Sequence, residues 1–411
     1  MSERRGANAG GPVRRLLRAV TSANTVTVTV LAIVLALVLG AVLVVLGDDQ
    51  VLAEYGYFFA QPGTALADSW RIVSEAYGNL FKGAVLDPAT VSGAISGTNS
   101  WSLVFNPISE TLTYTAPLIF TGLAVALAFR AGLFNIGGHG QVVMGCIGGA
   151  LVGFGLPLPP GLHLIAALLG AALGGGLLGL LTGVLKARTG AHEVIVTIML
   201  NNIAFWFLQW IITKPGVHNP TRTDAISKDV AGSARLPTFG GGLRVDLGIV
   251  LGVLAAAGVA WLLNRSTRGF ELRAVGLNPD AARTAGMSVG RAYILAMGLS
   301  GALAGLGGGI IVLGSATHLT GAVAGTVGFD GITVALLGRG RPWGVVASAV
   351  LFGALHAGGN RMQQYSHVAI DLVTVVQAVI VIFIAAPALV TAIFRLRAPR
   401  GGLAASLAKG W

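Results

Sequence analysis

The sequence has one cysteine, Cys146, and only 10% of its 411 residues are charged. A single thiol cannot form an intramolecular disulfide or a cysteine-based metal cluster. Soluble domains carry about 25% charged residues, whereas 54% of this chain is hydrophobic and 61 residues are glycine. The composition excludes an ordinary soluble domain and predicts an all-α, polytopic membrane protein.

Catalytic signatures are also absent from the sequence. It contains no G-x-x-x-x-G-K-[ST] phosphate loop, no G-x-S-x-G elbow and no H-E-x-x-H zinc pair. The chain is therefore not expected to hydrolyse ATP through a phosphate loop, and neither of the two hydrolase patterns applies. The seven histidines are scattered. We expect a conduit for a solute rather than an enzyme, with no cofactor or metal bound by this chain.

Apolar runs long enough to suggest membrane spans recur along the chain, at residues 26–46, 110–129, 141–154, 162–185, 194–212, 250–263, 292–313, 321–337, 343–356 and 372–390. Most of the 27 lysines and arginines lie on one side if both termini are cytoplasmic, which is the side that basic residues favour. We predict ten spans, or eight if residues 321–358 are re-entrant. The same distribution explains the net charge of +11 without a nucleic-acid partner.

The charge pattern also predicts the organisation of the chain. Residues 1–24 form a basic cytoplasmic arm, residues 25–396 the transmembrane domain and residues 397–411 a cytoplasmic tail. Segments 47–107 and 214–246 are expected outside, and the polar loop 265–291 inside. Within 162–185, glycines at helical spacing predict close packing between helices rather than a pore lining.

A few polar side chains interrupt the predicted spans or their borders. The glycine-rich break 132–141 contains Asn135, His139 and Gln141, which could bind a neutral polar solute or belong to a plain turn. Asn201 and Asn202 lie inside one span, where unpaired amides are costly, so they face either a neighbouring helix or the pathway. Asp330 is the one carboxylate well inside a span, and we include all six residues in the substrate pathway.

The loop 265–291 has the signals of a short exposed helix. Asn278 is suited to cap it, Pro279 and Asp280 suit its first turn, and Gly286 suits its end. Such a helix between two spans could contact a cytosolic partner, or the loop could be a solvated connector that only sets topology.

Several motifs together resemble the permease subunits of bacterial ABC importers, in the branched-chain amino acid and sugar permease superfamily, nearest its nucleoside and simple-sugar branch. The resemblance runs from about residue 110 to residue 387. It is carried by GLAVALAFRAGLFNIG at 122–137, HEVIVTIMLN at 192–201, RAVGLNPDAAR at 273–283, LSGALAG at 299–305 and GFDGITVALLG at 328–338. The family often has Ala-Glu where this chain has Gly138-His139, which puts the identity of the solute in doubt.

The resemblance implies a ten-helix protein of the bacterial cell membrane that imports a nucleoside or related simple sugar. It also implies two cytosolic ATPase subunits that bind ATP and Mg²⁺, a second permease subunit, identical or related, and an external solute-binding protein or lipoprotein. Residues 276–287 are similar to the coupling helix that docks on the ATPase, which gives coupling roles to Gly276, Asn278, Pro279, Asp280, Ala282, Arg283 and Gly286. The alternative is an ATP-independent secondary transporter or channel for a neutral polar solute.

Overall fold

The computed structural model describes residues 25–366 and 368–394, and the regular elements of this part of the chain are helical. The α-helices are α1 (Thr25–Leu46), α2 (Asp49–Tyr55), α3 (Pro62–Ala84), α4 (Pro88–Ile95), α5 (Trp101–Arg130), α6 (Gly138–Gly155), α7 (Leu162–Thr189), α8 (Glu193–Ile211), α9 (Gly248–Arg265), α10 (Thr267–Leu277), α11 (Pro279–Thr284), α12 (Val289–Ile310), α13 (Val327–Leu337), α14 (Pro342–Ser366), α15 (Ile370–Ala385) and α16 (Pro387–Ile393). The predicted arm 1–24 and tail 397–411 lie outside the described residues.

The chain divides into two compact units. The first comprises residues 1–75 and 368–411, and in it α1 packs against α15 and α16. The second comprises residues 76–367 and contains α4 to α14. The predicted domain boundaries do not coincide with this division, and they stay predictions.

Helix α5 is the centre of the second unit. In its most apolar stretch, 78% of the residues are buried, and it packs against α9, α12, α13 and α14. A helix that is covered on most sides has to be apolar around most of its circumference. The side chains of Ile119, Leu123 and Leu127 are fully buried on it. Helix α5 is therefore the central helix of this unit, and the neighbouring helices pack around it.

Glycines hold α7 and α12 in close contact. A Cβ on Gly175 would lie 2.4 Å from the carbonyl oxygen of Gly301, and a Cβ on Gly301 would lie 2.4 Å from that of Gly175. One turn further along α7, a Cβ on Gly179 would lie 2.2 Å from the carbonyl oxygen of Met297. Backbones can approach this closely only where side chains are missing. The glycines of α7 thus serve packing, as their spacing predicts.

Seven of the described helices are long and apolar enough to cross a membrane: α1, α5, α7, α8, α9, α12 with its continuation to Ser315, and α14. Helix α6, at a predicted span, has 18 residues but contains many glycines. Two further apolar helices, Val327–Leu337 and Asp371–Phe383, are shorter. The structure thus supports a multi-pass membrane protein with at least these seven candidate spans, and the number ten stays a prediction.

The predicted span 321–337 is helical only in its last 11 residues. Helix α13 has 11 residues, which gives a length of about 16 Å, roughly half of the hydrocarbon thickness of a bilayer. Residues 316–326, which precede it, form no regular helix. Segment 214–246 covers the start of this stretch, because the Leu319 N–H donates to Ser227 Oγ (2.8 Å) and the Ser227 N–H donates to the Leu319 carbonyl (3.0 Å).

Candidate functional site

The glycine-rich break between α5 and α6 is held by a buried amide network. Asn135 Nδ2 donates to Gln141 Oε1 (2.8 Å) and to Ser300 Oγ (2.7 Å), and Asn135 Oδ1 accepts from the Gly137 N–H (3.0 Å). Ser300 in turn donates to the Ala124 carbonyl (2.6 Å). Asn135 and Gln141 are essentially inaccessible. They connect α5, α6 and α12, and in this conformation they are closed to a solute, so their predicted contact with substrate stays a prediction.

Two helix beginnings meet next to this network. A Cβ on Gly328, at the start of α13, would lie 2.3 Å from Cα of His139, at the start of α6. The rings of His139 and Phe329 stack with their centroids 4.7 Å apart. Phe329 is 46% exposed, so one face of this pair is open. The partial positive charges of two helix N-termini are therefore brought together where the helices begin.

The depth of this meeting point follows from its contacts with α5. A Cβ on Gly331 would lie 2.6 Å from Cβ of Thr121. Thr121 lies nine residues, or about 13 Å of helix, before Arg130 at the end of α5. With Arg130 at the membrane border, as the predicted span 110–129 implies, the start of α13 would be near the middle of a membrane about 30 Å thick. Discontinuous helices that begin at this depth form substrate sites in many transporters.

Asp330 is the centre of a polar cluster at the same depth. Its Oδ2 accepts from Thr326 Oγ1 at 2.7 Å and lies 3.4 Å from Nε2 of His356. The His356 ring stacks on Tyr114 (5.9 Å between centroids), and the Tyr114 hydroxyl accepts from Asn360 Nδ2 (2.8 Å). The Asp330 and His356 side chains are partly exposed, 16% and 24%. We name Tyr114, Thr326, Asp330, His356 and Asn360 the Asp330 cluster.

Sequence analysis predicted only Asp330 of this cluster. His356 and Asn360 are four residues apart on α14 and therefore share one face, a signal that the sequence contained. Beyond Asn360, Arg361 pairs with the carboxylate of Asp87, the residue that caps α4. Polar side chains thus follow α14 from the middle of the membrane to the helix end that leads towards α4.

The two asparagines of α8 have different surroundings. Asn201 is buried, its Oδ1 accepts from the Gly140 N–H (2.8 Å) and its Nδ2 donates to the Ile136 carbonyl (3.0 Å). It fixes the start of α6. Asn202 is exposed and donates to the Ile198 carbonyl of its own helix (3.0 Å). The structure does not bring Asn202 to the Asp330 cluster, and both pathway assignments stay predictions.

The predicted coupling segment is a short helix with the expected cap. Asn278 Oδ1 accepts from the N–H groups of Asp280 and Ala281 (3.0 Å each), and Pro279 is in the first turn of α11. Gly286, with φ +83°, follows the helix end. Asp280 and Arg283 form an exposed ion pair (3.4 Å). The predicted local structure is confirmed, while the predicted docking on an ATPase is a proposal.

The base of the coupling segment is fixed to the end of α5. A Cβ on Gly276 would lie 2.4 Å from the Arg130 carbonyl oxygen and 2.8 Å from the Gly132 nitrogen. Ala282 is buried in an apolar cluster with Leu272 and Leu133. These contacts join α10 and α11 to residues 130–133, which lead into the break that contains His139.

The described residues bring no group of three or more His, Cys, Asp or Glu side chains together as metal ligands. The chemistry available at the Asp330 cluster is hydrogen bonding and stacking.

Comparison with known proteins identifies the family of this chain. The family described as "Branched-chain amino acid transport system / permease component" matches residues 108–385. The guanosine ABC transporter permease protein NupP of Bacillus subtilis (strain 168) is 43% identical over 291 residues, which cover 69% of this chain and 83% of that protein. The nucleoside ABC transporter permease protein NupB of Lactococcus lactis subsp. cremoris (strain MG1363) is 35% identical over 293 residues, covering 68% and 79%.

A third relative transports a sugar by name: the glucose ABC transporter permease protein TsgB13 of Haloferax volcanii is 31% identical over 289 residues, covering 67% of this chain and 75% of that protein. No solved structure matches. These relatives do not favour an ATP-independent carrier or channel. The family match spans most of the chain and includes the break, the coupling segment and the Asp330 cluster. The chain therefore belongs to the permease components of the branched-chain amino acid transport family, and it is a multi-pass permease subunit of an ABC importer.

Proposed function

We propose that this permease subunit imports a nucleoside and that the Asp330 cluster, with the open face of Phe329, is its binding site within the membrane. The observation that carries the proposal is the position of a carboxylate and an exposed aromatic ring, at adjacent residues, where two helices begin at mid-membrane depth. The names of NupP and NupB support this substrate class over a sugar alone.

The chemistry of a nucleoside suits this arrangement. A nucleobase stacks on an aromatic face, which is worth about 1–3 kcal/mol per base. The ribose hydroxyls donate to a carboxylate, as they do to the acidic residue of dinucleotide sites. In the proposed complex Phe329, supported by His139, stacks on the base, while Asp330 and His356 hydrogen-bond the ribose. A simple sugar would contact only Asp330 and His356.

The chain is an integral protein of the plasma membrane, and we propose ten spans with both termini in the cytoplasm. Two cytosolic ATPase subunits bind ATP and Mg²⁺, and α11 docks on one of them. A second permease subunit completes the membrane part, and a solute-binding protein or lipoprotein docks on segments 47–107 and 214–246. The contact of Gly276 with residues 130–132 transmits movement of α11 to the break and to His139.

The proposal is tested by uptake into proteoliposomes that contain the chain, its partner subunits and the binding protein. Labelled guanosine and labelled ribose are compared, each with ATP and with a non-hydrolysable analogue. Guanosine uptake is expected to require hydrolysis. Uptake that is equal with the analogue would contradict the importer mechanism.

Two variants distinguish the proposed base contact of Phe329 from the proposed ribose contact of Asp330. Phe329→Ala is expected to raise KM for guanosine about tenfold, since about 1.4 kcal/mol of lost stacking is a factor of ten, and to leave ribose uptake unchanged. Asp330→Asn is expected to weaken both. Asp224→Asn, an exposed carboxylate paired with Arg222, is the control. Equal effects of Phe329→Ala on both solutes would refute the stacking role.

A further inference from the structure

A cavity of about 680 Å³ opens beside the coupling segment, where α9 ends and α10 and α12 begin. Its walls carry four arginines, Arg265, Arg268, Arg273 and Arg291, against one acid, Glu271. The cavity is thus strongly positive.

Only the charge of Arg268 is neutralised, by an ion pair with Glu271 at 3.0 Å. Arg273 Nε donates to the Gly269 carbonyl at 3.4 Å, and this bond leaves its positive charge in place. Within the part of the chain that the structure describes, Arg265 and Arg291 have neither an ion-pair nor a hydrogen-bond partner, and both are exposed. Two free guanidinium groups in one concave site are suited to a tetrahedral anion, because a guanidinium can donate two parallel hydrogen bonds to a phosphate.

The position of the cavity indicates where that anion comes from. Arg265 is the last residue of α9 and Arg291 lies in the first turn of α12, and both helices are candidate spans. Trp261, one turn before the end of α9, is 63% exposed, and tryptophan is enriched at membrane interfaces. The two guanidinium groups therefore lie at the depth of lipid headgroups. Phe270, which lines the cavity and is 56% exposed, offers an apolar contact for the glycerol and acyl region.

We propose that this cavity binds the phosphate of an anionic lipid from the cytoplasmic leaflet. Basic pockets between membrane helices on that side recognise anionic headgroups. The opposite wall is formed by residues 285–288, which directly follow α11. A lipid bound here joins α9 and α12 to the base of the coupling segment, while Asp280 and Arg283 on α11 stay outside the cavity and remain accessible.

The test measures the thermal unfolding midpoint of the chain in neutral detergent during titration with phosphatidylglycerol, phosphatidylcholine or inorganic phosphate. Phosphatidylglycerol is expected to raise the midpoint with a saturable dependence, because a ligand that binds only the folded state stabilises it. Phosphatidylcholine and inorganic phosphate are expected to do so at least about tenfold less effectively. If phosphatidylcholine raised the midpoint as effectively as phosphatidylglycerol, the proposal would be wrong. If inorganic phosphate did so, the site would bind free phosphate and not a lipid headgroup.

The double variant Arg265→Gln/Arg291→Gln is expected to lose the response to phosphatidylglycerol. Arg222→Gln/Lys228→Gln, which removes two positive charges from the outer segment, is expected to keep it. An unchanged response of the Arg265→Gln/Arg291→Gln variant to phosphatidylglycerol would overturn the proposal. This holds even if the variant binds the ATPase less tightly, because the cavity would then serve the ATPase and not a lipid.

If the glutamine variant does not fold, Arg265→Lys/Arg291→Lys replaces it. Lysine keeps the positive charge but cannot form the bidentate hydrogen bonds that a guanidinium group donates to a phosphate. The apparent affinity for phosphatidylglycerol is then expected to fall about tenfold, and an unchanged affinity would refute the site.

Discussion

Replacement of Gly276 by alanine tests the proposed mechanical link between the coupling segment and the pathway. The new Cβ would lie 2.4 Å from the Arg130 carbonyl oxygen, whereas ordinary contacts begin at 3.4 Å. The neighbouring atoms belong to the backbone and cannot rotate away, so α10 has to move from the end of α5 by about 1 Å. Overpacking of this kind costs about 1–3 kcal/mol.

Part of this cost is offset, because alanine is favoured over glycine in a helix by about 0.5–1 kcal/mol. The net loss of stability is about 0–2.5 kcal/mol, well below the 5–15 kcal/mol that keeps a typical protein folded. The protein is therefore expected to stay folded. Since separation of α10 from α5 relieves the strain, the equilibrium between attached and detached coupling segments shifts about tenfold.

The assay compares guanosine uptake per ATP hydrolysed in proteoliposomes. Gly276→Ala is expected to reduce this ratio about tenfold while ATP hydrolysis continues. Gly290→Ala is the matched control, because it lies at the same end of the molecule and its Cβ would meet only Ala187 at 3.5 Å. If Gly276→Ala proved less stable than the control but had the same coupling ratio, the contact with residues 130–132 would not transmit the movement of α11.

Two further outcomes are expected. Asp280→Ala/Arg283→Ala should abolish coupled uptake with little effect on stability, because the ion pair is exposed and such pairs stabilise weakly; unchanged uptake, with the variant present in the membrane, would contradict the docking role of α11. Burial raises the pKa of Asp246, although the Gly248 N–H hydrogen bond acts in the opposite direction. An acid whose pKa is higher in the folded state than in the unfolded state lowers the free energy of unfolding at pH values above its unfolded-state pKa. The loss is complete above its folded-state pKa. Asp246→Asn should therefore raise the unfolding midpoint near neutral pH more than near about pH 4, and an equal rise at both pH values would contradict this.

The coupling segment was the most predictable part of the chain because its structure is local. The cap by Asn278 and the end at Gly286 depend on residues within a few positions of one another, and both are confirmed. The close packing of the α7 glycines was predictable for a similar reason, since helical spacing alone places small residues on one face.

The Asp330 cluster was not predictable to the same extent. It combines residues from α5, from α14 and from the segment around the start of α13, and nothing in their spacing along the chain brings Tyr114 next to His356. Conversely, the polar residues of the break were conspicuous in the sequence, but Asn135 and Gln141 satisfy each other inside the protein. Polar residues within apolar stretches therefore identified the region of the candidate site. Tertiary packing, which the sequence does not show, determines which of these side chains are accessible to a solute.

The interlocked glycines of α7 and α12 restrict how an alternating pathway can open. Contacts of this kind also join α6 to both helices, where a Cβ on Gly145 would lie 2.2 Å from the Gly305 carbonyl oxygen and one on Gly174 equally close to that of Met144. A slide by a single residue, about 1.5 Å, would bring a side chain into a gap that holds none. We therefore expect these three helices to move together, so that opening of a pathway involves movement of α5, α13 and α14 instead.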